Sequence, residues 1–416
     1  SGEPGYDNSN FWIRGISSFS GNNHPLVLVD GVERSINDID PAEIESFSVL
    51  KDASASAMYG VRGANGVIIV NTKRGTVAKP SVDFRFEQAI RKPTKLPQFI
   101  GAAEYMSLLN QLQPDPNKRL FTKDQILKTY YGYDKDLYPD VNWIDAITKD
   151  YASSTRANLT IAGGSDMLRY SLTASVYDEN GILARDNSLP YDTSSKLTRY
   201  NMRANVDLDL TKTTLVRFNI GYLQDLRKGK SSTDELFTSA FETPPFVHPA
   251  IYSDGTIPRV SNVRFNPWAL STQSGYYTGS RSKLESLFSV EQNLKMITPG
   301  LKAKVTFAFD TYNEAFVTRG KDPRYYSVAK SRDDEGNLVH SILSFGSEFL
   351  GHSSNANYGN KSTYLEASLS YDKTFGAHAL NALFLYNQRS YDWGDVQPKR
   401  TQGIAGRLSY TYDRRY

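Results

Sequence analysis

Residues 49–75 read Val-Leu-Lys-Asp-Ala-Ser-Ala-Ser-Ala-Met-Tyr-Gly-Val-Arg-Gly-Ala-Asn-Gly-Val-Ile-Ile-Val-Asn-Thr-Lys-Arg-Gly. They decide the fold because they complete a compact α/β grammar directly ahead of a long series of alternating strands. Asp52 can cap a short helix through Ala53, Ala55, Ala57 and Met58, and Gly60 can end it in the left-handed conformation. Gly63 and Gly66 allow a tight turn into Val67-Ile68-Ile69-Val70, a β-branched run between glycines that predicts a buried strand. Upstream, Asp40-Pro41-Ala42-Glu43 predicts a helix start, with Asp40 as N-cap, Pro41 at the first helical position and Glu43 returning a bond to the cap. Pro25-Leu26-Val27-Leu28-Val29-Asp30-Gly31 predicts a second buried strand closed by an Asp-Gly turn. Taken alone, this grammar also fits a small soluble α/β domain.

The chain that follows alternates with period two. Leu168, Tyr170, Leu172, Ala174 and Val176 oppose Arg169, Ser171, Thr173 and Ser175. Met202, Ala204, Val206, Leu208 and Leu210 oppose Asn201, Arg203, Asn205, Asp207 and Asp209. Leu301, Ala303, Val305, Phe307 and Phe309 oppose Lys302, Lys304, Thr306 and Asp310. Each set puts one chemistry on each face of a strand. Weaker alternation near 82–90, 155–163, 213–224, 282–294, 361–373, 379–390 and 402–412 brings the expectation to about ten strands.

Strand length separates two β architectures. Soluble sandwich strands run about five or six residues, whereas a tilted membrane-spanning strand needs about nine to eleven, and these stretches match the longer figure. The connections alternate as well: 163–166, 211–212, 297–300 and 374–377 are short, while 91–152, 179–197, 225–281 and 314–360 are long. Short turns at one rim and long loops at the other describe an outer-membrane barrel. Aromatics on the apolar face, among them Phe84, Phe86, Tyr170, Phe218, Tyr222, Tyr371, Phe384, Tyr410 and Tyr412, then supply lipid contact and interfacial girdles, or in a sandwich an ordinary core. Arg169, Arg203, Asp207, Lys302 and Arg407 face a polar lumen in the first case and solvent in the second.

Composition agrees with the barrel. The net charge of +3 is too near balance to point to nucleic acid, and the chain has no cysteine but 27 tyrosines and 20 phenylalanines. No apolar run approaches the roughly 20 residues of a membrane-spanning helix, and a β-barrel's weak hydropathy signal escapes that test. Zero cysteine removes disulfides and thiolate chemistry and fits an envelope protein. The chain opens at Ser1 without an initiator methionine or signal peptide, so a mature or cut piece is expected.

Ile13-Arg14-Gly15, Pro25–Val32, Ile44–Ala53 and above all Tyr59–Gly75 closely resemble the plug of SusC/RagA-type TonB-dependent outer-membrane transporters. Tyr138-Pro139-Asp140-Val141-Asn142-Trp143 and Asn158–Ser165 resemble that family's first barrel loop and second strand. The resemblance implies a mainly β fold: a transmembrane antiparallel β-barrel, here partial, with an N-terminal α/β plug domain over 1–80 and barrel over 81–416. Family barrels have about twenty-two strands around a plugged lumen and an N-terminal segment that contacts TonB. The sequence supplies about ten strands and not that segment, and a partial barrel leaves bare edges in lipid, so a piece of a working transporter is expected.

The resemblance further implies import across the cell outer membrane of Gram-negative, Bacteroidetes-like cells. The TonB complex pulls on the plug, a SusD-like lipoprotein covers the outer mouth, and the cargo is an oligosaccharide or, less often, a peptide. A soluble or surface-attached β-rich binding protein is the alternative. If 11–16 and 25–30 pair antiparallel, the stretches 1–10 and 31–38 share one end of the plug, which in the family faces outward. Tyr6, Asp7, Asn8, Glu33, Arg34 and Asn37 are then candidate substrate contacts, or solvated loop residues. Trp143, Trp268, Tyr276 and Tyr277 fall in long outer loops as candidate lid contacts, or pack those loops.

Enzyme chemistry and a cofactor are not expected. The histidines His24, His248, His340, His352 and His378 form no His-x-x-x-His or His-Glu-x-x-His pair, which argues against catalytic zinc. Gly229-Lys230-Ser231 lacks the Walker spacing and is expected to be a solvated loop. Asp333-Asp334-Glu335-Gly336-Asn337 lacks the spaced ligands of a calcium loop, so no metal is expected.

Overall fold

The computed structural model describes residues 3–5, 11–13, 24–51, 59, 63, 65–230, 233–260, 265–355, 358–394 and 397–413. The short helix expected over 53–58 lies outside them. So do Tyr6, Asp7, Asn8 and the second half of the strand expected over 11–16.

The plug sheet has the order β2-β1-β4-β3, formed by β1 (Leu26–Val29), β2 (Val32–Glu33), β3 (Ile44–Leu50) and β4 (Val67–Thr72). The two expected buried strands are β1 and β4. They run parallel, with Leu26 opposite Val67 and Val29 opposite Val70, and Val29, Val67, Ile68 and Val70 are buried. Asp30 (φ 51°) and Gly31 (φ 88°) both take positive φ, the two-residue turn that an Asp-Gly pair favours. The Asp30 carboxylate also accepts from the Thr72 amide at 3.0 Å and hydroxyl at 2.6 Å, tying the turn to the end of β4. Gly66 (φ 91°) donates to the Gly63 carbonyl at 2.9 Å and turns the chain into β4 as expected.

Two expectations are corrected. Asp40 caps as expected, accepting from the Ala42 amide at 2.8 Å, yet only a single 3-10 turn over Pro41–Glu43 follows. Strand pairing of Ile44–Leu50 with β4 takes the backbone, and the Glu43 side chain leaves the cap for the barrel wall. Nor do Phe11–Ile13 pair with β1. One edge of β1 is filled by β4, and the other by β2 and by the Arg34 amide, which donates to Val27 at 3.3 Å. Phe11 and Ile13 instead pack their side chains on the Val29–Ile68 cluster.

The large sheet is a run of ten consecutive antiparallel strands: β5 (Ala78–Arg91), β6 (Ala152–Gly164), β7 (Leu168–Asn180), β8 (Lys196–Thr211), β9 (Thr214–Gly229), β10 (Gly275–Asn293), β11 (Leu301–Gly320), β15 (Tyr358–Phe375), β16 (His378–Asp392) and β17 (Lys399–Tyr412). All ten alternating stretches are strands. They are longer than nine to eleven residues, reaching 20 in β11, because they project beyond the apolar band, which is only about 25 Å tall. The sheet stays open between β5 and β17. Above it, β12 (Tyr325–Tyr326) and β13 (Ile342–Ser344) form a ribbon, and β14 (Ser353–Ser354) extends the pairing of β11.

Burial along the strands is inside-out. Ser171, Thr173, Ser175, Asn201, Arg203, Asn205 and Asp207 are buried, while Leu168, Leu172, Val176, Met202 and Leu210 are exposed. A soluble sandwich hides its apolar face; here the polar face wraps the plug and the apolar face needs lipid. The long loops pack over one rim around a shared cluster of Trp143, Ile144, Ile147, Leu183, Leu236, Ala240 and Leu270.

Candidate functional site

The plug meets the wall through charge rather than grease. Arg203, Gly221, Glu285 and Asp310 are registered neighbours across β8, β9, β10 and β11, and their alternation turns all four inward. Gly221 leaves the gap through which Arg203 spans two strands: a Cβ there would lie 2.7 Å from its Nη2. Arg203 thus donates to Glu285 at 2.9 Å and to Glu43 of the plug at 2.7 Å. Arg34 of the plug grips Asp310 bidentately at 2.9 and 2.7 Å and lies 3.8 Å from Glu285. Lys283 bridges Asp38 at 2.8 Å and Glu285 at 2.9 Å. Arg281 and Arg199 share Asp225, and the Arg199 guanidinium also donates to the Asn37 carbonyl at 3.4 Å.

Lower on the wall, Asn205 donates to Thr72 at 2.8 Å and to the Lys73 carbonyl at 2.7 Å, and Arg74 pairs with Asp207 at 2.6 Å. Among the described residues, one small apolar cluster joins plug and barrel, formed by Val32, Leu287 and Ala308. Burial pushes the Glu43 carboxyl up to about 7 against the pull of Arg203. A buried ion pair is weak evidence for stability, but removing one partner strands the other and costs about 3–5 kcal/mol. The network therefore fixes where the plug sits.

Above this network, a cavity of about 540 Å³ opens between the plug loop 33–38 and the wall. Glu33, Arg34 and Asp38 line it from the plug; Lys283, Asp310, Tyr312, Tyr358, Asn360, Arg389 and Tyr391 line it from the barrel. Tyr312 and Tyr358 meet edge to face at 6.2 Å. Glu33 pairs with Arg389. The mixture of aromatic faces and paired charges suits a polar ligand.

Of the substrate contacts read from sequence, Glu33 and Arg34 reach the cavity. Arg34 does so with its guanidinium committed to Asp310, which makes it an anchor of the plug as well as part of the lining. Asn37 does not line it; its carbonyl meets Arg199. Tyr6, Asp7 and Asn8 lie outside the described residues.

Among the lid candidates, Trp143 is corrected. It is 3% exposed at the centre of the loop cluster and packs edge to face on His248 at 5.3 Å. Trp268 packs against the same cluster. Tyr276 and Tyr277 are the second and third residues of β10, not loop residues. Tyr276 lies beside Tyr191 and under the Lys228 ammonium, and Tyr277 beside Phe316.

Sequence reasoning put Arg203 and Asp310 on the polar face but did not select Lys283, Glu285, Tyr312, Tyr358 or Tyr391. The signal was present, since each charged member sits at an inward position of a period-two strand. What was missing was the partner, more than 150 residues away in the case of Arg203 and Glu43.

A family model described as the TonB-dependent Receptor Plug Domain matches residues 1–67. The TonB-dependent receptor P3 of Formosa agariphila is 26% identical over 386 residues, covering 90% of this chain and 33% of that protein. The TonB-dependent receptor SusC of Bacteroides thetaiotaomicron is 33% identical over 196 residues, 44% of this chain and 18% of SusC. In plug and barrel wall the chain resembles the TonB-dependent receptors of the SusC type. The RagAB peptide importer in its open-open state shares the fold, with a TM-score of 0.70 at 18% identity over 97% of this chain and 48% of that one. The chain spans a third or less of the length of the curated relatives it matches.

Proposed function

We propose that this receptor imports a polar solute, an oligosaccharide, through its plugged lumen by a TonB-driven movement of the plug, with a SusD-like lipoprotein covering the outer mouth. The observation that carries the reading is the cavity between the plug loop 33–38 and the wall, where Tyr312, Tyr358 and Tyr391 offer faces to sugar rings and Lys283, Asn360 and Arg389 offer donors. Its position also supports the reading, because the cavity floor is the plug itself. Among the described residues the plug meets the wall mainly through ion pairs, so moving it exchanges those pairs for water. A peptide is the second reading, supported by the presence of both charge signs on the cavity wall. Domain limits near residue 80 follow the same reading, since the plug sheet ends at Thr72 and β5 begins at Ala78.

The test is solute uptake by cells expressing the full-length protein, with and without TonB. Import requires that accumulation stop on TonB depletion while surface binding persists, and that Tyr312→Ala with Tyr391→Ala weaken binding. Accumulation unchanged without TonB would remove the reading.

A further inference from the structure

A second cavity, of about 510 Å³, lies in the loop layer between the end of β9, the helix Pro267–Thr272 and the β12–β13 ribbon. Its wall holds Lys230, which is 6% exposed. Each buried cation of the plug network has a carboxylate within reach. Lys230 does not: its ammonium contacts the Ser274 hydroxyl, and among the described residues no carboxylate oxygen lies within 4.0 Å of it. Glu235 acts on it only through space, and burial pulls the amine down to about 8, so it remains mostly charged at neutral pH. A buried ammonium held by one hydroxyl is costly unless an anion joins it.

Tyr325 stands on the same wall, 3% exposed, with a hydroxyl that makes no hydrogen bond. Its ring is fixed by Phe265 at 6.3 Å and by the Arg259 guanidinium at 5.4 Å. The backbone there is held on both sides, Tyr325 pairing with Ser344 and Tyr326 accepting from the Arg259 amide at 2.9 Å. Phe265, Leu270 and Phe349 add an apolar flank.

We propose that this loop-layer cavity binds the carboxylate of a small solute, with Lys230 as counter-charge, Tyr325 as neutral donor and the Phe265–Phe349 side receiving the solute's body. Lys321 and the exposed carboxylates of Glu235 and Asp322 also line the cavity; Lys230 is the buried charge among them, and one buried ammonium fits a monoanion. A uronic-acid sugar and a peptide C-terminus share that chemistry. The assignment stands apart from import, because it concerns equilibrium binding rather than uptake.

The test is equilibrium binding to outer-membrane vesicles from cells expressing the full-length protein. The probes are a glucuronic-acid disaccharide against its methyl ester, and trialanine against its C-terminal amide. At least one acid should bind tenfold or more tighter than its neutral form, about the worth of one charge-assisted hydrogen bond. Lys230→Met should abolish that preference and Lys230→Arg should keep part of it, which separates lost charge from misfolding. Preference for the sugar acid alone identifies a uronate site, and for the peptide acid alone a C-terminus site. Equal binding of acid and neutral forms in both pairs, or an undiminished preference in Lys230→Met, overturns the proposal.

Discussion

Arg203 shows how much one inward position carries. It joins Glu43 of the plug to Glu285 of the wall across the space left by Gly221. Arg203→Ala strands two buried carboxylates and should lower plug-docking stability by about 3–5 kcal/mol, read as the concentration of urea at which a protease begins to cut the plug. Gly221→Ala should cost less, because it only displaces the flexible end of Arg203; equal stability of both variants and the native protein would deny the pair a docking role. Glu43 adds a pH dependence. Its carboxyl titrates near 4.5 unfolded and near about 7 in place, so the docked plug holds the proton more tightly. Its own contribution to docking is then largest below about 4.5 and falls by about 3 kcal/mol as pH rises to about 7, levelling above. Glu43→Gln should flatten that slope in protease sensitivity between pH 4 and 8; an unchanged slope would assign it to another group. Residue pairings of this kind were not legible in the sequence, since the period places Arg203 inward but does not say which carboxylate waits there. Trp143 failed for a related reason: an aromatic in a long loop looks the same whether it meets a partner or its own helix.

Strands were the most legible elements. Period two on one face and a run too long for a sandwich sufficed to place all ten, because membrane and lumen impose opposite chemistries on alternate residues. Capping was legible only in part, as Asp40 does cap, yet pairing with β4 ends the helix after three residues. The faces make a sharp expectation for β8. Val206 points outward and should tolerate no charge, so Val206→Arg should cost about 2–4 kcal/mol near the bilayer midplane. Asn205→Ala should leave the barrel intact and loosen only the plug's exit at Thr72 and Lys73. Heat-modified mobility of the folded barrel on gels reads the first and protease access to the plug the second; a harmless Val206→Arg beside a barrel broken by Asn205→Ala would reverse the faces.

At the scale of the molecule, the chain is a wall with a polar interior fitted around a plug, its long loops gathered into one layer and its short turns at the opposite rim. The sequence sorted the loops by length, but the site where the plug loop 33–38 docks emerged only from contacts between strands far apart in the chain. The claim on which everything rests is that this inside-out sheet crosses the outer membrane with the loop layer outside. Ser331 lies exposed in that layer and Lys212 in an exposed turn at the other rim, and the absence of native cysteine leaves no background. Single Ser331→Cys and Lys212→Cys variants of the full-length protein, treated with a membrane-impermeant maleimide, should label on intact cells at Ser331→Cys only, with Lys212→Cys labelling after the outer membrane is opened. Labelling of Lys212→Cys on intact cells, or protection of Ser331→Cys, would contradict the account.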